Sequence, residues 1–399
     1  MKQKMLVVGI LFAIMSFILS ACGETSPVTP AATAIPLPAL TLKPDPKLSD
    51  LKVLVTIGGG SELVPKFSPD VTEYVLSIIS DITSIGVVPS LPNQSTDKIT
   101  IDGNAAETGA TATVMPVVGI SEVKIVVSAE DGKSTTYTIA VRREDIQPLV
   151  NKFLKITFTD PETGVNMGYR LFVPENYDPT RSYPLVMFLH GAGQTGADNE
   201  IQIANYEATV WARPEEQFKH PSFVLAPQSN MDPDADKTLN NYGKIGWTSL
   251  MLYGLDKPFE PEDQLVTAYD ILQKVRDEYN IDQKRIYVTG LSMGGFGTFS
   301  LAIAHPDEFA ALVPISGGGD PAKLATISKI PIWIFHAQED PTIPVQMSRD
   351  SVKALEDAGG TPKYTEYPAG TYFFPTAHYA WIPAYANTEM RDWLFQQSK

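Results

Sequence analysis

Cysteine is nearly absent: Cys22 stands alone among 399 residues. No intramolecular disulfide can form, and no cysteine pair can hold a metal. Histidine is scarce as well, with five in the chain, and none falls in a His-Glu-x-x-His pattern. Neither a metal nor a cofactor is therefore expected. Cationic residues are outnumbered 31 to 46, a formal charge of −15. That balance argues against nucleic acid as a partner and against electrostatic docking on anionic lipid. The apolar run from Leu6 to Leu19 is too short to span a bilayer comfortably.

What the chain does contain begins with that run. Met1-Lys-Gln-Lys-Met is basic, and the apolar stretch behind it reads as the core of a signal peptide. Leu19-Ser-Ala-Cys22 follows at once and resembles the lipobox of bacterial lipoproteins. The resemblance implies cleavage before Cys22, a diacylglycerol on its sulfur, and a protein anchored outside the cytoplasm. Residues 1–21 are then the signal, and 22–47, rich in Pro and Thr, a flexible or polyproline-like tether.

Between 48 and 143 the pattern is one of short alternating segments, such as Lys52-Val-Leu-Val-Thr-Ile and Glu122-Val-Lys-Ile-Val-Val. Gly, Asn, Asp and Pro turns separate them at a spacing that predicts an all-β sandwich. Leu48-Ser-Asp-Leu, Phe67-Ser-Pro-Asp-Val-Thr-Glu-Tyr and Ala129-Glu-Asp-Gly-Lys-Ser-Thr-Thr-Tyr resemble the cadherin-like module of bacterial surface proteins. Such a module implies a spacer or a surface that meets the cell wall or another protein. On that reading it is dispensable for chemistry. Asp70 and Asp131 read as turn-formers.

From 150 to 399 strand and helix patterns alternate, which predicts an α/β fold with a mostly parallel sheet covered on both faces. Within it, Gly290-Leu-Ser292-Met-Gly294 lies between a strand pattern and a helix pattern. A sharp strand-to-helix turn lifts a serine hydroxyl above the sheet, and small neighbours relieve its crowding. The N–H of Met293 then faces a developing oxyanion. A nucleophilic serine here calls for an acid and then a histidine further along. His305, at a helix end, is expected to meet the terminal carbonyls, and His336 closes a strand. His378, in a loop after the last strand, is the chosen base. Asp340 in His336-Ala-Gln-Glu-Asp340 is the chosen acid, with Glu339 near it and Asp320 a distant alternative. The glycines of His190-Gly191-Ala192-Gly193 let the N–H of Ala192, or of Gly191, complete an oxyanion hole. Gly191-x-Gly193-x-x-Gly196 also has the spacing of a dinucleotide loop, but Trp211-Ala-Arg-Pro-Glu-Glu cannot supply the second strand and its acid.

Asp282-Gln-Lys-Arg-Ile-Tyr-Val-Thr-Gly-Leu-Ser292-Met-Gly-Gly-Phe-Gly-Thr, His305-Pro-Asp-Glu-Phe and Pro331-Ile-Trp-Ile-Phe-His resemble the secreted esterases of the prolyl oligopeptidase-like α/β-hydrolase group. The resemblance implies an α/β-hydrolase fold and a triad of Ser292, Asp340 and His378. It sets Gln228 and Trp247 near a pocket entrance and Trp381 beside the base, and it marks Tyr372-Phe-Phe-Pro as an insertion. The implied reaction is hydrolysis of a carboxylic ester, polysaccharide-linked or short-chain, through an acyl-enzyme. A serine peptidase is the nearest alternative, although a prolyl oligopeptidase proper carries a β-propeller that 48–143 is too short to form. An inactive surface-binding lipoprotein is the alternative from another class.

Overall fold

The computed structural model describes residues 44–230, 246–248 and 263–399. The signal segment, Cys22 and nearly all of the tether lie outside the described residues, as does most of the loop after Ser229. Eight short strands come first: β1 Asp50–Leu54, β2 Glu73–Ile78, β3 Ile85–Ser90, β4 Lys98–Ile101, β5 Asn104–Ala106, β6 Ala112–Val114, β7 Gly119–Ser128 and β8 Ser134–Arg143. They form two sheets, β1-β3-β6 and β2-β8-β7-β4-β5. Along the middle of β7 and β8 every second side chain is buried: Val123, Ile125 and Val127 on one strand, Tyr137, Ile139 and Val141 on the other. The alternation follows from a sheet with one wet face. Asp131 accepts the N–H of Lys133, as a turn-former does.

The second half is an eight-stranded sheet of β9 Leu154–Thr159, β10 Asn166–Phe172, β11 Tyr183–Leu189, β12 Phe223–Gln228, β13 Ile281–Leu291, β14 Ala311–Ile315, β15 Trp333–Ala337 and β16 Lys363–Tyr367. Its order is β16-β15-β14-β13-β11-β12-β10-β9, parallel from β16 to β12 and antiparallel over the last two pairings. The central strands are apolar at consecutive positions because both faces are covered. Val186, Phe188, Tyr287 and Val313 belong to one core. Their neighbours Leu185, Met187, Val288 and Leu312 belong to the other.

Among the described residues eight helices accompany the sheet: α1 Gln147–Val150, α2 Tyr206–Thr209, α3 Pro214–Lys219, α4 Asp263–Glu278, α5 Met293–Ala304, α6 Gln346–Asp357, α7 Trp381–Ala386 and α8 Thr388–Phe395. α4, α5 and α6 supply Leu272, Phe299 and Leu355 to the second core. α2, α7 and α8 supply Ala208, Ile382 and Leu394 to the first. That first core runs on without a break into the sandwich, through Ile78, Ile82 and Val87. Polar contacts reinforce the join. Asp81 accepts the N–H of Tyr206 at 2.7 Å, Arg213 pairs with Glu144, and Thr56 Oγ1 accepts the N–H of Phe374 at 2.9 Å. A spacer would touch little; this sandwich shares a core with the sheet beside it.

Candidate active site

β13 ends at Leu291, and the chain turns into α5 at Ser292, whose φ of 54° and ψ of −117° are strained for a residue with a Cβ. The turn is held by backbone. The N–H of Ser292 donates to Ile315 O at 2.9 Å, and its own carbonyl accepts the N–H groups of Gly295 and Phe296. At Gly294 a Cβ would stand 1.9 Å from Leu189 O, so only glycine lets α5 approach β11 this closely. Ser292 is only 6% exposed.

His378 Nε2 lies 3.0 Å from Ser292 Oγ, and its Nδ1 lies 2.7 Å from Asp340 Oδ2. The carbonyl of His378 accepts the Ser316 hydroxyl at 3.3 Å, and its N–H reaches Thr376 Oγ1. Trp381 stands with its ring edge-on to His378 at 4.9 Å. The Asp340 side chain is fully buried. Burial alone would raise its carboxyl, but donors from His336, His378 and the N–H of Ile343 outweigh it and hold the group well below the usual carboxylate range. Oδ1 takes the N–H of Thr342 at 2.8 Å and of Ile343 at 2.9 Å. Of the other acids considered, Glu339 accepts the N–H of Gly370 and Asp320 that of Ala322.

The strand pairing sets Leu189 opposite Gly290, so Gly191 and Ser292 lie at the same end of neighbouring strands. Ala192 opens a helical turn and Met293 opens α5. The first N–H groups of a turn have no acceptor inside it, and none lies outside it among the described residues. The loop is braced from behind by His190, which is fully buried. Its Nδ1 lies 2.7 Å from Gly191 O, while Nε2 accepts the N–H of Ser229 at 3.0 Å. Burial pushes this imidazole down to about 4, so it is neutral at pH 7.

Gln228 and Trp247 are fully buried and bond to the protein itself. Gln228 accepts the N–H of Asn199 and donates to Asp198 and Gln194 O. Trp247 Nε1 donates to His190 O at 2.9 Å. Both therefore hold the loop that follows β11. His305 differs from the expectation: its N–H closes α5, but its ring stacks on Tyr269 at 3.5 Å, a flat partner the helix end alone does not reveal. His336, set aside above, touches Asp340 Oδ2 through Nε2 at 3.2 Å. The spacing of four residues to Asp340 was the only available signal of that contact.

Glu216, His220 and Asp392 are dense enough to hold a cation. Arg391 already neutralises Glu216 at 2.7 Å and Lys219 stands 3.4 Å from Asp392, so the charges there are balanced.

Residues 39–144 match the family model of the cadherin-like β-sandwich domain, and 161–357 match that named Esterase, which takes in Ser292 and Asp340 but ends short of His378. A solved structure described as a thermostable esterase is 39% identical, over 79% of this chain and 80% of its own, with a TM-score of 0.57. The chain belongs to the esterase family. This esterase-family α/β-hydrolase is also similar to poly(3-hydroxyalkanoate) depolymerase C of Paucimonas lemoignei, 33% identical over 36% of this chain and 29% of the relative. A bifunctional acetylxylan esterase/xylanase of Neocallimastix patriciarum is 25% identical over 52% of the chain and 27% of the relative. The chain thus spans less than a third of the length of these two relatives.

Proposed function

We propose that the protein hydrolyses carboxylic esters through Ser292, His378 and Asp340. The observation that carries this reading is the unbroken hydrogen-bonded line from Ser292 Oγ through His378 to Asp340. Ser292 Oγ attacks the ester carbonyl while His378 Nε2 takes its proton. Asp340 holds the ring in the tautomer that can do so and stabilises the imidazolium. The N–H groups of Met293 and of Ala192, or Gly191, receive the negative charge on the carbonyl oxygen. His378 returns the proton to the alkoxide leaving group, and an acyl-enzyme remains. Water deprotonated by the same ring then releases the acid.

The relatives act, by name, on polyhydroxyalkanoate and acetylated xylan, which supports an ester borne on a polymer, a polysaccharide-linked or short-chain acyl ester here. The lipobox-like Leu19-Ser-Ala-Cys22 supports a protein anchored outside the cytoplasm by lipid on Cys22, with the sandwich facing the cell wall or another protein. Mass spectrometry of the N-terminal peptide tests the anchor: the expected species starts at a diacylglyceryl Cys22, and an unmodified start further along refutes it. A fluorophosphonate is expected to label Ser292 and no other serine. Turnover of p-nitrophenyl esters of graded length, feruloyl esters and peptide amides tests the substrate class; faster cleavage of the amides would make the protein a peptidase.

A further inference from the structure

The His336 ring is fully buried on β15, and the chemistry just described leaves it unused. Its Nε2 faces two acceptors, Ile343 O at 3.0 Å and Asp340 Oδ2 at 3.2 Å. A carbonyl has no hydrogen to give, and neither has an ionised carboxylate, so Nε2 carries the hydrogen and donates it. On the opposite edge, Nδ1 lies 2.7 Å from Ser348 Oγ, which donates to Gly317 O at 2.7 Å. The ring is pinned on one side to α6 and the loop after β14, and on the other to the loop after β15.

Asp340 Oδ2 therefore lies against two imidazoles. One, His378, moves a proton in the proposed reaction; the other is fixed in the fold. Oδ1 is held by the N–H groups of Thr342 and Ile343; with His378 as its sole partner, Oδ2 could still swing about that anchored oxygen and carry the base away from Ser292. We propose that His336 is a positioning residue, whose Nε2–H holds Asp340 Oδ2 where it receives His378 Nδ1. This rests on the triad reading given above.

The test is a double-mutant cycle in the full chain, with kcat and KM on a soluble p-nitrophenyl ester, thermal midpoints, and fluorophosphonate labelling. His336→Leu keeps volume and removes the donor. It is expected to lower kcat by about tenfold to a hundredfold, the scale of a misplaced catalytic group, with KM nearly unchanged. In an Asp340→Ala background the same change is expected to cost almost nothing further, because the two residues act through one contact. His336→Gln presents an amide N–H near the Nε2 position and is expected to retain kcat within about threefold. Wild-type kcat in His336→Leu overturns the proposal, and so does an equal loss in both backgrounds, which marks a packing role. If the leucine variant does not fold, the glutamine variant decides: a kcat as low as that of Asp340→Ala overturns the proposal. Labelling separates the two readings. Wild type unlabelled at Ser292 sinks the triad and this inference together, whereas labelled wild type with an indifferent His336→Leu sinks only the inference.

Discussion

The two sides of the candidate site are held by different means. On the Ser292 side, backbone meets backbone, Ser292 N–H on Ile315 O and α5 against β11 at Gly294, and the buried His190 ring braces Gly191 O. These contacts arise inside one sheet, between adjacent strands. On the His378 side, the proposed base sits on residues 371–386, which leave the sheet and rest on the sandwich. Thr56 holds Phe374, and Gly58, at a φ of +79°, faces Pro383 so closely that a Cβ would stand 2.8 Å from its Cα. The proposed nucleophile is thus placed within the sheet, whereas the segment that bears the proposed base also rests on a second domain.

Substitutions can break each side separately. Ser292→Ala should have the largest effect, a loss of about a thousandfold or more in kcat, roughly 4 kcal/mol, with the thermal midpoint unchanged. Retained turnover would move the nucleophile elsewhere. Gly294→Ala should destabilise the fold by about 3 kcal/mol, because β11 cannot yield to the added methyl; urea unfolding measures it. The same side should respond to acid through His190. Its folded form takes a proton only near 4, whereas the unfolded chain takes one near 6.5, so stability is full above the higher value and declines as the pH falls between them. The decline amounts to about 3 kcal/mol. Urea midpoints at pH 7.5 and 4.5 for wild type and His190→Gln should differ in their pH dependence, and matching curves would remove His190 as the cause.

On the other side, Gly58→Val combines a strained φ with a clash at Pro383 and should cost about 2 kcal/mol. Because the segment it displaces bears His378, kcat should fall too, although residue 58 belongs to the sandwich. An unchanged kcat in the folded variant would show that the base is independent of the sandwich. Thr56→Val should have the smallest effect, about 1 kcal/mol for one lost hydrogen bond, read as a small drop in thermal midpoint.

The same division separates what the sequence reveals from what it hides. The central parallel strands are legible because strands covered on both faces are apolar at consecutive positions, and the turn at Ser292 because glycine is its only solution at 294. Asp340 and His378 follow from chain order once Ser292 is in place. The sandwich strands show in their alternation. Hidden are the contacts that join distant segments, such as Thr56 with Phe374, 318 residues apart. Short helices such as α2 and α7 contain too little of a period to show. Asp340 reads as a loop acid, but nothing local says that a second imidazole touches it. Gln228 shows as a strand-end amide, and only the fold reveals that it bonds the loop beneath it.

The shared core also limits how this gene can be recombined. Ile382, Pro383 and Ala384 are buried, and Tyr379 and Ala386 pack against the same apolar cluster as the sandwich residues Ile78 and Ile82. An esterase that dispenses with the sandwich leaves that surface wet, beside its own catalytic loop. It must carry polar residues at these positions or cover them with another element. A chimaera that exchanges the sandwich for an unrelated module while keeping 379–386 unchanged would be insoluble before it was inactive.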